Sequence, residues 1–119
     1  MSIVVVGTGY VGLVTGACLS EVGHTVACVD VDAGRIEHLS QGHVPFHEPG
    51  LADLVRNGID SSRLTFSTSL PDAYRSAKKN RTLSAPVVMI AVGTPSREDG
   101  SADTSAVLSV AKELAGVLR

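Results

Sequence analysis

The stretch that decides the fold is Ile3-Val4-Val5-Val6-Gly7-Thr8-Gly9-Tyr10-Val11-Gly12. Its first four residues are a continuous β-branched run that ends at a glycine, the pattern of a short strand buried on both faces. The glycines then follow G-x-G-x-x-G. A bare match of this pattern carries little, since glycine is common, but its surroundings here are informative. A strand precedes it, helical spacing starts at Val11, and Asp30 closes a second apolar run about twenty residues later. In that context Gly7 permits the tight turn out of the strand. Gly9 leaves the backbone open to a pyrophosphate, and Gly12 lets helix and strand pack closely. The free amides and the positive end of the helix dipole then face the phosphates. Thr8, Tyr10 and Val11 fill the loop and belong to the candidate site with the three glycines.

Working outward, Val11 to Val22 carries helical spacing, with Val11, Val14, Cys18 and Val22 as its apolar stripe. Gly12 and Gly16 add a flat surface, and Gly23 supplies a stop. Val26 to Asp30 is a second strand. Asp32 can cap a helix that buries Ile36 and Leu39 and closes at Gly42. Two prolines keep His43 to Gly50 a loop. Leu51, Leu54 and Val55 indicate a short helix ending at Asn57-Gly58, and Leu64 to Ser67 a third strand. A weaker helix runs from Pro71 to Ala77. Val87 to Val92 is a fourth strand, cut by Gly93-Thr94-Pro95, and a last helix from Asp103 or Thr104 buries Val107, Val110, Ala111, Leu114 and Leu118. Strands that alternate with helices make a parallel sheet with right-handed crossovers. The fold class is therefore α/β, a Rossmann-type sheet of order 3-2-1-4 with helices on both faces and an incomplete second half. Residues 1–119 form one domain.

Composition narrows the function classes. With 44% apolar and 18% charged residues the chain folds, and with 3% aromatics its core is aliphatic. A net charge of −2 gives no general basic excess to grip nucleic acid. No apolar run approaches the ~20 residues of a bilayer span, and the N-terminus lacks a basic region before its apolar run, so neither membrane span nor signal peptide is expected. Cys18 and Cys28 fit no metal spacing and read as buried, reduced thiols of a cytoplasmic protein. His43 and His47 are separated by Pro45, which prevents a helical metal pair. No metal is expected. Lys78-Lys79-Asn80-Arg81 is the one basic cluster, and Lys78 to Pro86 reads as a surface insert.

Asp30 sits where an acidic side chain takes the adenosine ribose hydroxyls and repels the extra phosphate of NADP, so the cofactor reads as NAD. Arg35 lies one helical turn into the next helix. On the residues alone it either reaches the same ribose or is a solvated surface group, and it keeps an NADP reading open. Val92, Gly93 and Thr94 leave the fourth strand beside the switch point of a 3-2-1-4 sheet. The Thr94 hydroxyl either bonds the cofactor or simply belongs to a Gly-Pro turn.

Beyond the glycine loop, the chain resembles the UDP-glucose/GDP-mannose dehydrogenase family of nucleotide-sugar dehydrogenases. The resemblance rests on Gly9-Tyr10-Val11-Gly12-Leu13-Val14-Thr15-Gly16, on Cys28-Val29-Asp30-Val31-Asp32 followed by Arg35-Ile36, on Pro45-Phe46-His47-Glu48-Pro49-Gly50-Leu51, and on Ala91-Val92-Gly93-Thr94-Pro95 with Asp99-Gly100-Ser101-Ala102-Asp103. It implies oxidation of the C6 alcohol of a nucleotide-linked hexose to a carboxylate with two NAD. It also implies cofactor roles for Gly7 to Gly12, Val11, Asp30, Arg35 and Thr94. The family's nucleophilic cysteine and its catalytic lysine and acid lie further along a longer chain, so the resemblance implies that residues 1–119 are the N-terminal fragment of a longer dehydrogenase, and no catalytic residue is assigned. The nucleotide sugar would be held by those segments, and a homodimer is a further expectation. Two other readings compete: a non-catalytic NAD-sensing module, which explains a short chain, and a hydroxyacyl-type dehydrogenase sharing only the first βαβ unit.

Overall fold

The computed structural model describes residues 1–79 and 85–118. The elements are β1 (Ser2–Val6), α1 (Tyr10–Glu21), β2 (Thr25–Val29), α2 (Ala33–Ser40), α3 (Leu51–Asp60), β3 (Leu64–Ser67), α4 (Leu70–Lys79), β4 (Val87–Ile90) and α5 (Ser105–Val117). The described strands make one parallel sheet in the order β3-β2-β1-β4, as the sequence indicates.

Every residue of β1 is buried, which explains its unbroken apolar run. Alternate side chains feed two cores. Ile3 and Val5 pack with Leu13 and Ala17 of α1, Leu39 of α2 and Val55 of α3. Val4 and Val6 pack on the other side with Leu70, Ala73 and Ala77 of α4, and Val110 and Leu114 of α5 join them. Leu13 has no exposed surface, so Leu13→Ala would cost about 2–5 kcal/mol.

The expected stripe on α1 is wrong. The buried face is Gly12, Leu13, Gly16, Ala17 and Ser20, while Val11 and Val22 are exposed and Val14 is half-buried. The helix is apolar nearly all round, so apolar spacing alone cannot choose its inner face. Small residues choose it by allowing close approach: a Cβ on Gly16 would stand 2.8 Å from Cys28 Sγ. Cys18 consequently points outward and is exposed, contrary to the expectation that both thiols are buried. Cys28 is buried, and that burial pushes its thiol up to about 12.

The last helix also differs from its reading. None of its residues is buried; Val107, Val110 and Leu114 are half-buried, and Ala111 and Leu118 are exposed. It lies on α4, and Val110 and Leu114 reach the core around Val4 and Val6; β4 is the outer strand of the sheet. β4 itself ends at Ile90 rather than Val92, although Ala91 N–H still donates to Val6 O at 2.7 Å. Val87, Met89 and Ile90 are exposed along this edge. The expected insert from Lys78 to Pro86 falls mostly on residues 80–84, which lie outside the described residues. No described helix is long and apolar enough to cross a membrane.

Candidate dinucleotide site

A parallel sheet sends the carboxyl ends of its strands to one edge, and the candidate residues collect there. β1 leaves the sheet at Gly7, whose φ of +107° is a conformation L side chains rarely adopt. A Cβ at Gly7 would also lie 2.7 Å from the carbonyl oxygen of Ala91, at the end of β4. Gly12 is equally closed, since a Cβ there would collide with the Gly7 carbonyl oxygen. Gly9 is different. It caps α1 with φ −70° and ψ −169°, and a Cβ built on it meets nothing within 4 Å. Two of the three glycines are thus required by packing, and the third faces open space.

Leu13 N–H donates to Gly9 O at 2.9 Å and closes the first turn of α1. The amides of Tyr10, Val11 and Gly12 are left without intrahelical acceptors at the positive end of the helix dipole. Both features fit a phosphate group approaching Gly9.

Thr8 is fully buried, and its side chain points across to the end of β2. Its N–H and its hydroxyl both donate to Asp30 Oδ2, at 2.9 and 2.7 Å. Asp32 N–H donates to Asp30 Oδ1 at 3.0 Å, and Arg35 Nη1 lies 3.9 Å from Oδ2. Burial pushes the Asp30 carboxyl up, but these hydrogen bonds and the guanidinium outweigh it and hold the group below its ordinary value. Asp30 is therefore a fixed anion at the strand end. Asp32 caps α2 by accepting from Arg35 N–H at 3.0 Å, which places Arg35 in the first turn beside Asp30. Arg35 is not a detached surface residue, as one reading of the sequence allowed.

A cavity of about 130 Å³ opens at this edge, and Gly7, Asp30 and Val92 all line it. The structure thus brings Gly7, Thr8, Asp30, Arg35 and Val92 together, with Gly9 and Gly12 at the adjoining helix end. Val11 is 67% exposed and turned outward. Gly93 and Thr94 are exposed beyond Val92 and do not line the cavity.

Several residues at the site were missed by sequence reasoning. Val31, Thr68, Leu70, Val110 and Glu113 line the cavity from three different segments, and no local pattern announces that convergence. Glu48 was seen only as part of a loop motif. Its Oε2 accepts the Tyr10 hydroxyl at 3.0 Å, and Phe46 meets the Tyr10 ring edge-on at 5.9 Å. The loop 43–50 is thereby tied to the first residue of α1.

Comparison with known proteins agrees with this geometry. The family model described as the UDP-glucose/GDP-mannose dehydrogenase family, NAD binding domain, matches residues 1–119. A UDP-glucose 6-dehydrogenase of Pseudomonas aeruginosa is 48% identical over 100% of this chain, which spans 24% of that protein. The crystal structure of a GDP-mannose dehydrogenase from Pseudomonas aeruginosa superposes with a TM-score of 0.89 at 37% identity, covering 100% of this chain and 26% of that one. A UDP-glucose dehydrogenase from Pyrobaculum islandicum gives a TM-score of 0.80 at 35% identity over 91% of this chain and 23% of its own. The chain spans about a quarter of the length of the curated relatives it matches. A glycine loop opening a helix, an anchored acidic residue at the second strand end and a family match over all 119 residues lead to one assignment: this chain belongs to the UDP-glucose/GDP-mannose dehydrogenase family, as its NAD-binding domain.

Proposed function

We propose that the NAD site comprises the Gly7–Gly12 loop, Asp30, Arg35 and the rim Val92, Gly93 and Thr94. The single observation that carries this reading is the openness of Gly9, between two glycines that packing closes. The dinucleotide's diphosphate lies on the amides of Tyr10, Val11 and Gly12, and Asp30 takes the hydroxyls of the adenosine ribose. Thr8 is a positioning residue, because its hydroxyl is spent on Asp30. Arg35 steadies the Asp30 carboxylate and reaches the same ribose from α2. NAD, when bound, supplies the electron acceptor.

The chain serves as the cofactor-binding part of an enzyme that oxidises the C6 alcohol of a nucleotide-linked hexose to a carboxylate. UDP-glucose is the first substrate to test, because relatives 48% and 44% identical are named for it. The described residues of the site bind and orient the cofactor, and neither cysteine is placed for chemistry on the sugar. The buried thiol of Cys28 is held protonated and is a poor nucleophile. Cys18 lies two turns along α1 from the phosphate loop, about 12 Å away. The sugar's contacts and the catalytic thiol therefore belong to segments outside residues 1–119. We place the protein in the cytoplasm, and the exposed edge of β4 is where a further strand or a second copy would pair. Neither the sensing-module reading nor the hydroxyacyl reading gains support from any specific feature of the site.

Calorimetry with NAD and absorbance at the NADH band test this together. The expected result is NAD binding without NADH formation from UDP-glucose. Turnover that survives purification and disappears on mutating Cys18 or Cys28 would overturn it, and so would an absence of NAD binding.

A further inference from the structure

The cavity beside Asp30 has a part to play that the glycine loop does not explain. Val6, Val29, Val92 and Val110 give it apolar walls, and Thr68 and Glu113 add polar groups. Its volume of about 130 Å³ is below the ~300–1,000 Å³ of a site for a whole drug-sized ligand, so it takes one moiety. Given the NAD reading above, on which this inference rests, that moiety is fixed by connectivity. The diphosphate leaves the ribose through C5′ toward α1, and the base leaves through C1′, on the other side of the ring oxygen. With the ribose hydroxyls on Asp30, the base enters the apolar cavity that Asp30 borders.

We propose that Glu113, on α5, selects the base of the dinucleotide as a 6-aminopurine. Of the two carboxylates in the lining, Asp30 is occupied by Thr8, Asp32 and Arg35. Glu113 makes no ion pair among the described residues. A carboxylate can only accept hydrogen bonds. The exocyclic amine of adenine donates from C6, where hypoxanthine carries an oxo group whose lone pairs a carboxylate repels, its N–H donor lying one ring position away at N1. Apolar walls hold any flat base and the Thr68 hydroxyl can turn to donate or accept, so discrimination between bases falls to Glu113. Because Glu113 stands at the exposed rim, the discrimination is modest, about tenfold, rather than the far larger ratios of a sealed site.

The test compares NAD with nicotinamide hypoxanthine dinucleotide by calorimetry on the full chain, in the wild type and in Glu113→Gln. A glutamine can donate as well as accept and suits both bases. The wild type should prefer NAD by about tenfold, and Glu113→Gln should reduce that preference to threefold or less while leaving the melting temperature unchanged. Lys112→Gln, a neighbouring change outside the cavity lining, should leave the preference intact and excludes a general charge effect. Equal affinities in the wild type, or an undiminished preference in Glu113→Gln, would overturn the role of Glu113 while NAD binding itself stands. A wild type that binds neither dinucleotide would overturn the NAD reading and this inference with it.

Discussion

Gly9→Val separates binding from folding more cleanly than any other change at the site. A Cβ at Gly9 meets nothing within 4 Å, and φ −70° with ψ −169° is open to any residue. The fold should therefore tolerate valine, with stability within about 0.5 kcal/mol of wild type. The valine side chain would occupy the space through which a diphosphate must reach the first-turn amides. Hydrogen bonds to a charged partner are worth about 1.5–3 kcal/mol each, so losing about two weakens NAD by roughly 3 kcal/mol. That is a factor on the order of 100 in Kd. Gly12→Ala is the contrasting case. Its methyl group would collide with the backbone oxygen of Gly7, so it should lose stability and binding together. Calorimetry with NAD, paired with urea unfolding, reads both quantities. Gly9→Val that folds normally and binds NAD within threefold of wild type would refute the placement of the diphosphate.

Four further outcomes follow from the same geometry. The wild type should bind NAD at least about tenfold tighter than NADP, since a 2′-phosphate would face the Asp30 carboxylate, and Asp30→Ser should narrow the gap in parallel titrations; equal wild-type affinities would refute this. Asp30 is held below its ordinary value, so the unfolded chain binds its proton more tightly; that contribution to stability is whole above the unfolded value of about 4 and is lost as pH falls through the lower folded value. Urea unfolding from pH 7 down to pH 2 should therefore show a shallower acid limb for Asp30→Asn than for wild type. Tyr10→Phe and Glu48→Ala remove the same hydrogen bond, so their effects on NAD affinity should be non-additive in a double-mutant cycle, and strict additivity would deny that the Tyr10–Glu48 contact acts as a unit. Iodoacetamide on the folded protein should modify Cys18 and spare Cys28, read as a single mass adduct; prompt modification of Cys28 would contradict its burial.

The architecture was legible because its signals are local. A β-branched run before a glycine, a glycine pattern opening a helix, and Asp30 at a strand end are each read within a few residues. The parallel order 3-2-1-4 then follows from alternation of strands and helices. The face of α1 was not legible, because valines and glycines compete for the inner position and apolar spacing favours the wrong set. Close packing decides it: Gly12 lies on Gly7, Gly16 on Cys28, and Cys18 is left outside. The burial of α5 was overread for a related reason. Its apolar spacing is real, but among the described elements it rests chiefly on α4, and the sequence of a helix does not state what lies below it. The cavity lining was invisible because Val31, Thr68, Leu70 and Glu113 are brought together only by the crossovers.

The two halves of the site are one mechanical unit. Thr8 stands between Gly7 and Gly9, and both of its donors are committed to a carboxylate on the next strand. The position of the glycine loop and the position of the Asp30 carboxylate are thereby set by the same pair of bonds. Gly7 N–H donates to Val29 O at 2.7 Å and reinforces the link from the other side. The Asp30 carboxyl, which on the proposed reading excludes a 2′-phosphate, is kept charged chiefly by Thr8 of the glycine loop, with Asp32 and Arg35 adding to it. Charge and placement therefore share a cause. A change that removes the carboxylate loosens the loop, while one that removes the loop's hydroxyl takes away the shortest of the hydrogen bonds to that carboxyl. Selectivity at the ribose and affinity at the diphosphate should accordingly be coupled in this fold, although Asp30 and the open face of Gly9 belong to different segments of the chain.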